Sequence, residues 1–298
     1  MTDARFHIDA DLVRRLVAEQ FPQWAGLEVR PVEPQGWDNR TFRLGEQLTA
    51  RLPCAAAYSV QVEKERLWTP RLAAGLRVTI TTPVATGEPG FGYPSPWSIN
   101  RWLDGETVAA ARNLDLVLLA EDIAQFLQDL HGVEAAGGPP AGPHCFWRGG
   151  PLLTYDTQTR QTLAALDKVI DTPAARAAWE AGLAAPWSGR EAWFHGDFAA
   201  GNLLVRDGRL SGVIDWGCCG VGDPACDLAV AWTLLDSESR RVFRARLAPD
   251  AGTWARGRAW ALWKALIVMA AAPGANPAGV ERCPRIIAEI VADHRGDR

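Results

Sequence analysis

The stretch from His195 to Asp227 constrains this chain more than any other. The apolar pair Trp193-Phe194 runs into His195-Gly196-Asp197, Asn202 stands ahead of Leu203-Leu204-Val205, and Asp215 follows Leu210-Ser211-Gly212-Val213-Ile214. Between the last two runs lies Arg206-Asp207-Gly208-Arg209, and Asp-Gly flanked by apolar runs is a strong hairpin signal. A hairpin brings its open ends together, so Asn202 and Asp215 are expected side by side. Gly196 permits a tight turn, with positive φ open to it, which sets Asp197 at the edge of a cleft.

Phosphoryl transfer from a nucleotide leaves little covalent work to a protein. The acceptor hydroxyl must be oriented and its proton received, and phosphate charge must be neutralised by Mg²⁺. Asp197 suits the first task. Asn202 and Asp215 are hard oxygen donors of the kind Mg²⁺ takes, and Asp197 with Asn202, five residues on, has the spacing of a kinase catalytic loop. Asp223 before Pro224 reads as a helix N-cap with Pro at the first helical position. His195 reads as a structural histidine bonded to a backbone carbonyl, and Asp227 as either structural or lining the substrate side. The run Gly217 to Gly222 lacks a following Lys-Ser/Thr, so it is no Walker phosphate loop.

The chain ahead of this segment reads as strands, then helices. A capped helix is expected over Asp9 to Gln20, and strands at Leu27 to Val32, Thr41 to Leu44 and Leu48 to Leu52. A helix follows from Ser59 to Leu72, then strands at Thr82 to Thr86 and Trp97 to Leu103. Helices are expected at Leu114 to His131, Thr154 to Ile170, Ala174 to Ala184, Pro224 to Leu235, Thr253 to Ala272 and Arg285 to His294. That order argues for an α+β arrangement of two lobes, divided as 1–104 and 105–298.

These motifs resemble the aminoglycoside phosphotransferase family and its kinase-like relatives, such as choline and homoserine kinases. The family's H-G-D-x-x-x-x-N, I-D-W and G-D-P-x-x-D-L-A all stand here, the last as Gly222 to Ala229. Gly36-Trp37-Asp38-Asn39-Arg40-Thr41-Phe42 resembles its nucleotide-covering hairpin, and Asn100-Arg101-Trp102-Leu103-Asp104-Gly105 its interlobe hinge. The resemblance covers nearly the whole chain. It implies a bilobal protein-kinase-like fold, with an antiparallel sheet and one main helix in the N-terminal lobe. It also implies transfer of the γ-phosphate of ATP or GTP to a small-molecule hydroxyl. Asp197 is then the catalytic base, Asn202 and Asp215 are the Mg²⁺ ligands, and His195 and Asp223 are supports. Arg51 with Glu65 would position the phosphates, and Asn39, Asn100 and Trp102 would lie at the nucleotide. Arg51 departs from the family's lysine. Arginine makes a different fork on phosphate, and this departure motivates the rival reading, a nucleotide-binding pseudokinase without turnover.

Composition narrows the partners. With a net charge of −4 the chain offers no basic face for nucleic acid or an anionic membrane. Met1 to Arg5 opens no apolar signal segment, and the apolar stretch Ala259 to Ala272 is broken by Lys264 and too short to span a bilayer. A cytoplasmic monomer or homodimer is expected. The six cysteines show no CxxC pair and read as reduced, with no metal or disulfide role. The acceptor is open between an aminoglycoside-like antibiotic and a metabolite. A polycation wants clustered carboxylates, whereas Glu121, Asp122, Asp156, Asp236 and Glu238 are scattered.

Overall fold

The computed structural model describes residues 5–187, 189–271 and 277–297. The chain opens with α1 (Ala10–Gln20), capped by Asp9, whose carboxylate accepts from the Leu12 amide at 2.8 Å. Then come β1 (Val29–Pro31), β2 (Asn39–Leu44), β3 (Leu48–Pro53), α2 (Val60–Ala73), β4 (Thr79–Ile80), β5 (Pro83–Gly87), β6 (Trp97–Arg101) and β7 (Glu106–Thr107). Five of these strands form an antiparallel sheet in the order β1-β2-β3-β6-β5. Successive side chains of a strand point to opposite faces. Phe42, Leu44, Ala50, Leu52, Trp97 and Ile99 join Leu12, Val13, Leu16 and Val17 of α1 in one apolar cluster. Each Val, Leu, Ile or Phe buried in this way is worth roughly 1.5–3 kcal/mol. The alternate residues, Thr41, Arg43, Thr49, Arg51, Ser98 and Asn100, therefore project from the other face, the one α2 reaches with Glu65.

The remainder is mostly helical: α3 (Leu116–Gly132), α4 (Asp156–Ala165), α5 (Thr172–Ala184), then β8 (Ala192–Phe194), β9 (Leu203–Arg206), β10 (Arg209–Val213) and β11 (Gly220–Gly222), then α6 (Val230–Thr233), α7 (Ser237–Leu247), α8 (Ala251–Met269) and α9 (Pro277–Gly296). A second apolar cluster runs through these helices, from Leu72 to Val291. The expected hairpin forms between β9 and β10, with Asp207 and Gly208 at φ 54 and 76, the left-handed pair a type I′ turn requires. It is the centre of a sheet ordered β4-β10-β9-β7, and β8 pairs antiparallel with β11. The fold is thus α+β, with an antiparallel sheet region followed by a helical one.

Several elements differ from expectation. β4 and β7 have two residues each, too few for a periodic pattern, and exist only through pairing with β10 and β9. α7 was not expected, because Ser-Glu-Ser-Arg-Arg-Val-Phe-Arg-Ala-Arg-Leu is dominated by charge. Its capping box at Asp236 and Ser239 and its buried Phe243 make it a helix. The helix expected over Pro224 to Leu235 is a 3₁₀ segment, Pro224–Ala229, followed by one α-helical turn. The helix expected from Thr154 begins in the same way, with 3₁₀ winding over Leu152–Tyr155. The expected end of α8 at Ala272, before Pro273, lies outside the described residues, as do Met1 to Ala4. All six cysteines are free and buried. Among the described residues no helix is long and apolar enough to cross a membrane.

Candidate active site

β8 leads into His195-Gly196-Asp197. Gly196 has φ 82, and a Cβ there would lie 2.4 Å from the Cys218 carbonyl oxygen, so only glycine fits. His195 is fully buried. The Asp197 amide donates to its Nδ1 at 3.2 Å, and its Nε2 lies 3.0 Å from the Ile214 carbonyl. An imidazole nitrogen that accepts leaves the other to donate. His195 therefore bridges the Asp197 loop and the strand ahead of Asp215. The Asp227 carboxylate accepts from the amides of His195 at 2.6 Å and Gly196 at 2.8 Å. Burial raises Asp227 above its ordinary value, with His195 and the two amides limiting the rise. Of its two expected roles, geometry assigns Asp227 the structural one.

Asn202 Nδ2 donates to the Asp197 carbonyl at 2.9 Å and to its carboxylate at 3.2 Å. That leaves Asn202 Oδ1 as the amide's open acceptor. The Ile214 amide donates to the Asn202 carbonyl at 2.9 Å, so the open ends of the hairpin are tied together. Asp215 follows at φ 65, ψ 66, a left-handed conformation that Asp tolerates and bulkier residues resist. Asn202 and Asp215 are adjacent hard oxygen donors, and Mg²⁺ needs few protein ligands beyond water and phosphate. The pair fits that ion.

Arg51 is buried between two carboxylates, 3.2 Å from Glu65 and 2.7 Å from Asp215. Burial disfavours its charge, but Glu65 and Asp215 more than compensate and raise its pKa. Glu65 itself is pushed up by burial against the pull of Arg51. Asp38 is raised to about 6, first by burial and then by the charge of Asp215, and its Oδ2 accepts from Gln61 at 3.3 Å. This crowding of carboxylates around one guanidinium is an environment short of positive charge. Asn39 is buried at the start of β2. Asn100 is fully buried, donates to Ser98 Oγ at 3.2 Å and keeps its Oδ1 without a partner. Trp102 donates its amide to the Gln47 carbonyl at 2.8 Å and carries Arg43 over its ring at 3.9 Å. Lys64 is turned away to His144, at 2.9 Å, so it does not stand in for the missing strand lysine.

Two groups at the site have no motif to announce them. Lys264 of α8 places its Nζ 2.7 Å from Asp197 Oδ1. In the sequence it is only a break in an apolar stretch. The signal was a lysine within a helix otherwise buried nearly all round, a position where charge is rare unless paired. Burial would raise Asp197, but Lys264 outweighs it and brings the carboxyl down to about 2. Arg148 adds to that lowering. It stacks over Trp263 at 4.6 Å and donates to the Phe146 carbonyl at 3.1 Å. Behind the loop, Asp223 caps the 3₁₀ segment through the Ala225 amide, as expected, and is gripped by Arg256 at 2.6 and 3.2 Å.

The chain is similar to known proteins. The sequence model of the phosphotransferase enzyme family, APH, matches residues 28–260. An aminoglycoside 3'-phosphotransferase of Escherichia coli is 48% identical over 42 residues. That match covers 14% of this chain and only 16% of the relative's length. The GDP complex of aminoglycoside 2'-phosphotransferase-IIIa superposes with a TM-score of 0.69 at 16% identity, covering 96% of this chain and 100% of that one. Macrolide 2'-phosphotransferase MphH from Brachybacterium faecium gives 0.60 at 24% identity, covering 93% and 98%. The likeness to both solved structures is one of fold, the bilobal kinase-like architecture.

Proposed function

The chain belongs to the APH phosphotransferase enzyme family, and on that premise we propose that it transfers the γ-phosphate of ATP or GTP to a hydroxyl of a small molecule. The observation that carries this reading is the meeting of Asp197, Asn202 and Asp215 at one edge of the hairpin, with Arg51 reaching the same point from the sheet. Asp197 orients the acceptor hydroxyl and receives its proton. Asn202 and Asp215 would hold Mg²⁺, which would supply charge neutralisation for the phosphates. Arg51, anchored by Glu65, turns its guanidinium from Asp215 toward phosphate oxygens, a task that its planar fork suits. His195 and Asp227 fix the loop that aims Asp197.

The related aminoglycoside and macrolide enzymes support a hydroxylated acceptor, antibiotic or metabolite. The GDP-bound relative supports a nucleotide donor. Asp197→Ala is expected to lower turnover by roughly 10²- to 10⁴-fold, the usual worth of acid–base assistance. Thermal stabilisation by Mg-nucleotide should survive that change and be lost in Asp215→Ala. Near-normal turnover in Asp197→Ala would sink the mechanism. Stabilisation by Mg-nucleotide with no transfer to any acceptor would favour the pseudokinase reading instead.

A further inference from the structure

The side of Asp197 that faces α8 is cationic and aromatic. Lys264 Nζ has three donors, and its hydrogen bond runs to Asp197 at 2.7 Å. Arg148 lies over the Trp263 ring at 4.6 Å, with its Nη1 3.5 Å from the Tyr155 hydroxyl. Tyr155 and Trp263 pack with ring centroids 4.2 Å apart and planes tilted by 33°. The carboxylates that would hold a polycation are committed elsewhere. Asp122 binds Arg209, Asp156 binds Arg160 and the Trp179 indole, and Asp236 caps α7. Glu121 and Glu238 are exposed on α3 and in the first turn of α7.

Both oxygens of Asp197 are also occupied, Oδ1 by Lys264 and Oδ2 by Asn202. Each oxygen can accept a second hydrogen bond, but an acceptor hydroxyl drawing close to Asp197 competes with one of these two partners. Asn202 is the poorer candidate, because its amide also holds the Asp197 carbonyl. Lys264 is the mobile partner, with a flexible stem and partial exposure. It leaves an ion pair without loss only if the incoming molecule offers another anion.

Resting on the phosphotransferase reading above, we propose that the acceptor is a hydroxylated molecule with a carboxylate or similar anion near the reacting hydroxyl. Lys264 and Arg148 take that anion, and the half-buried Tyr155 beside Arg148 borders the acceptor. As Lys264 shifts to the anion, Asp197 Oδ1 is released to the hydroxyl. A polyamine-rich acceptor gains nothing here and meets two cations.

The test is a matched series on the full chain with Mg²⁺ and nucleotide: mandelate, 1-phenylethane-1,2-diol, 2-amino-1-phenylethanol and kanamycin. These share a hydroxyl and differ in charge. Acceptor-dependent nucleotide diphosphate release and the shift in melting temperature are read for each. Mandelate is expected to lead in both. Lys264→Met should raise its KM by about tenfold or more, as loss of a charge-assisted hydrogen bond implies, with the Mg-nucleotide melting shift unchanged. Arg148→Met serves as the second variant if Lys264→Met does not fold. Preference for either cationic member overturns the proposal, as does an equal response across the series, silence included. Loss of Mg-nucleotide stabilisation in the parent protein, or full turnover in Asp197→Ala, would instead overturn the phosphotransferase reading itself.

Discussion

The two sides of the catalytic segment use the same residue types in opposite ways. On the cleft side, Asp197, Asp215 and Asp38 are part-exposed, and their charged or polar partners are the side chains Lys264, Arg51 and Gln61. On the reverse, His195, Asp227 and Asp223 are buried. Their partners are backbone amides and a carbonyl, with one buried guanidinium, Arg256. Side-chain partners can turn away when a ligand arrives, whereas a backbone partner moves only with the fold. A carboxylate thus becomes a reagent or a bracket according to what holds it and how much water reaches it.

Breaking the reverse side should give the largest effect on stability. Arg256→Met removes the counter-charge of a carboxylate that stays buried, and such a loss typically costs about 3–5 kcal/mol. Urea unfolding should report that drop, while turnover per folded molecule stays within a few-fold of the parent. A cost below about 1 kcal/mol would mean that Asp223 is held by its Ala225 cap alone. The next effect is smaller but crosses both sides. Gly196→Ala places a side chain at φ 82 and against the Cys218 carbonyl. Left-handed backbone alone costs roughly 1–2 kcal/mol, and relieving the contact must displace Asp197. Stability and kcat are expected to fall together. Unfolding and steady-state rates measured on the same preparation check this, and a fall in only one would separate loop from site.

The sequence made one of these sides legible and left most of the other dark. Asp197, Asn202, Asp215 and the Asp223 cap lie within one segment, so local spacing and turn chemistry were enough to bring them together. The clamp of Asp227 on the His195 and Gly196 amides depends on the segment folding back on itself, and its role stayed open between two alternatives. Lys264 and Arg256 come from α8, far along the chain, and only packing brings them to Asp197 and Asp223. A lone lysine or arginine inside an apolar helix is a sign of pairing, but it does not name the partner. β4 and β7 were silent for a related reason, since a two-residue strand has no period. The antiparallel sheet and α1 were readable because alternation and a helical stripe are properties of contiguous residues. α7 shows the limit of that rule, where a cap and one buried Phe243 outweigh a charge-rich stretch.

The smallest predicted effect tests the cleft side by pH. Asp38 is raised from 3.8 to about 6, chiefly by burial and next by the charge of Asp215. Its ionised form is therefore disfavoured in the fold. Between those two values the unfolded chain gives up its proton first, so stability falls as pH rises through that window and levels off above about 6. Asp38→Asn keeps an acceptor for Gln61 and removes the charge. Without nucleotide, the variant should match the parent near pH 4 and melt higher at pH 7. The gain should be on the order of 1 kcal/mol, a few degrees at most, because Asp38 is part-exposed and solvent screens it. Mg²⁺ should narrow the gap, since a cation at Asn202 and Asp215 offsets the same repulsion. A variant that melts lower at pH 7 would place Asp38 with the supporting residues of the reverse side, and the division between the two faces would have to be redrawn around it.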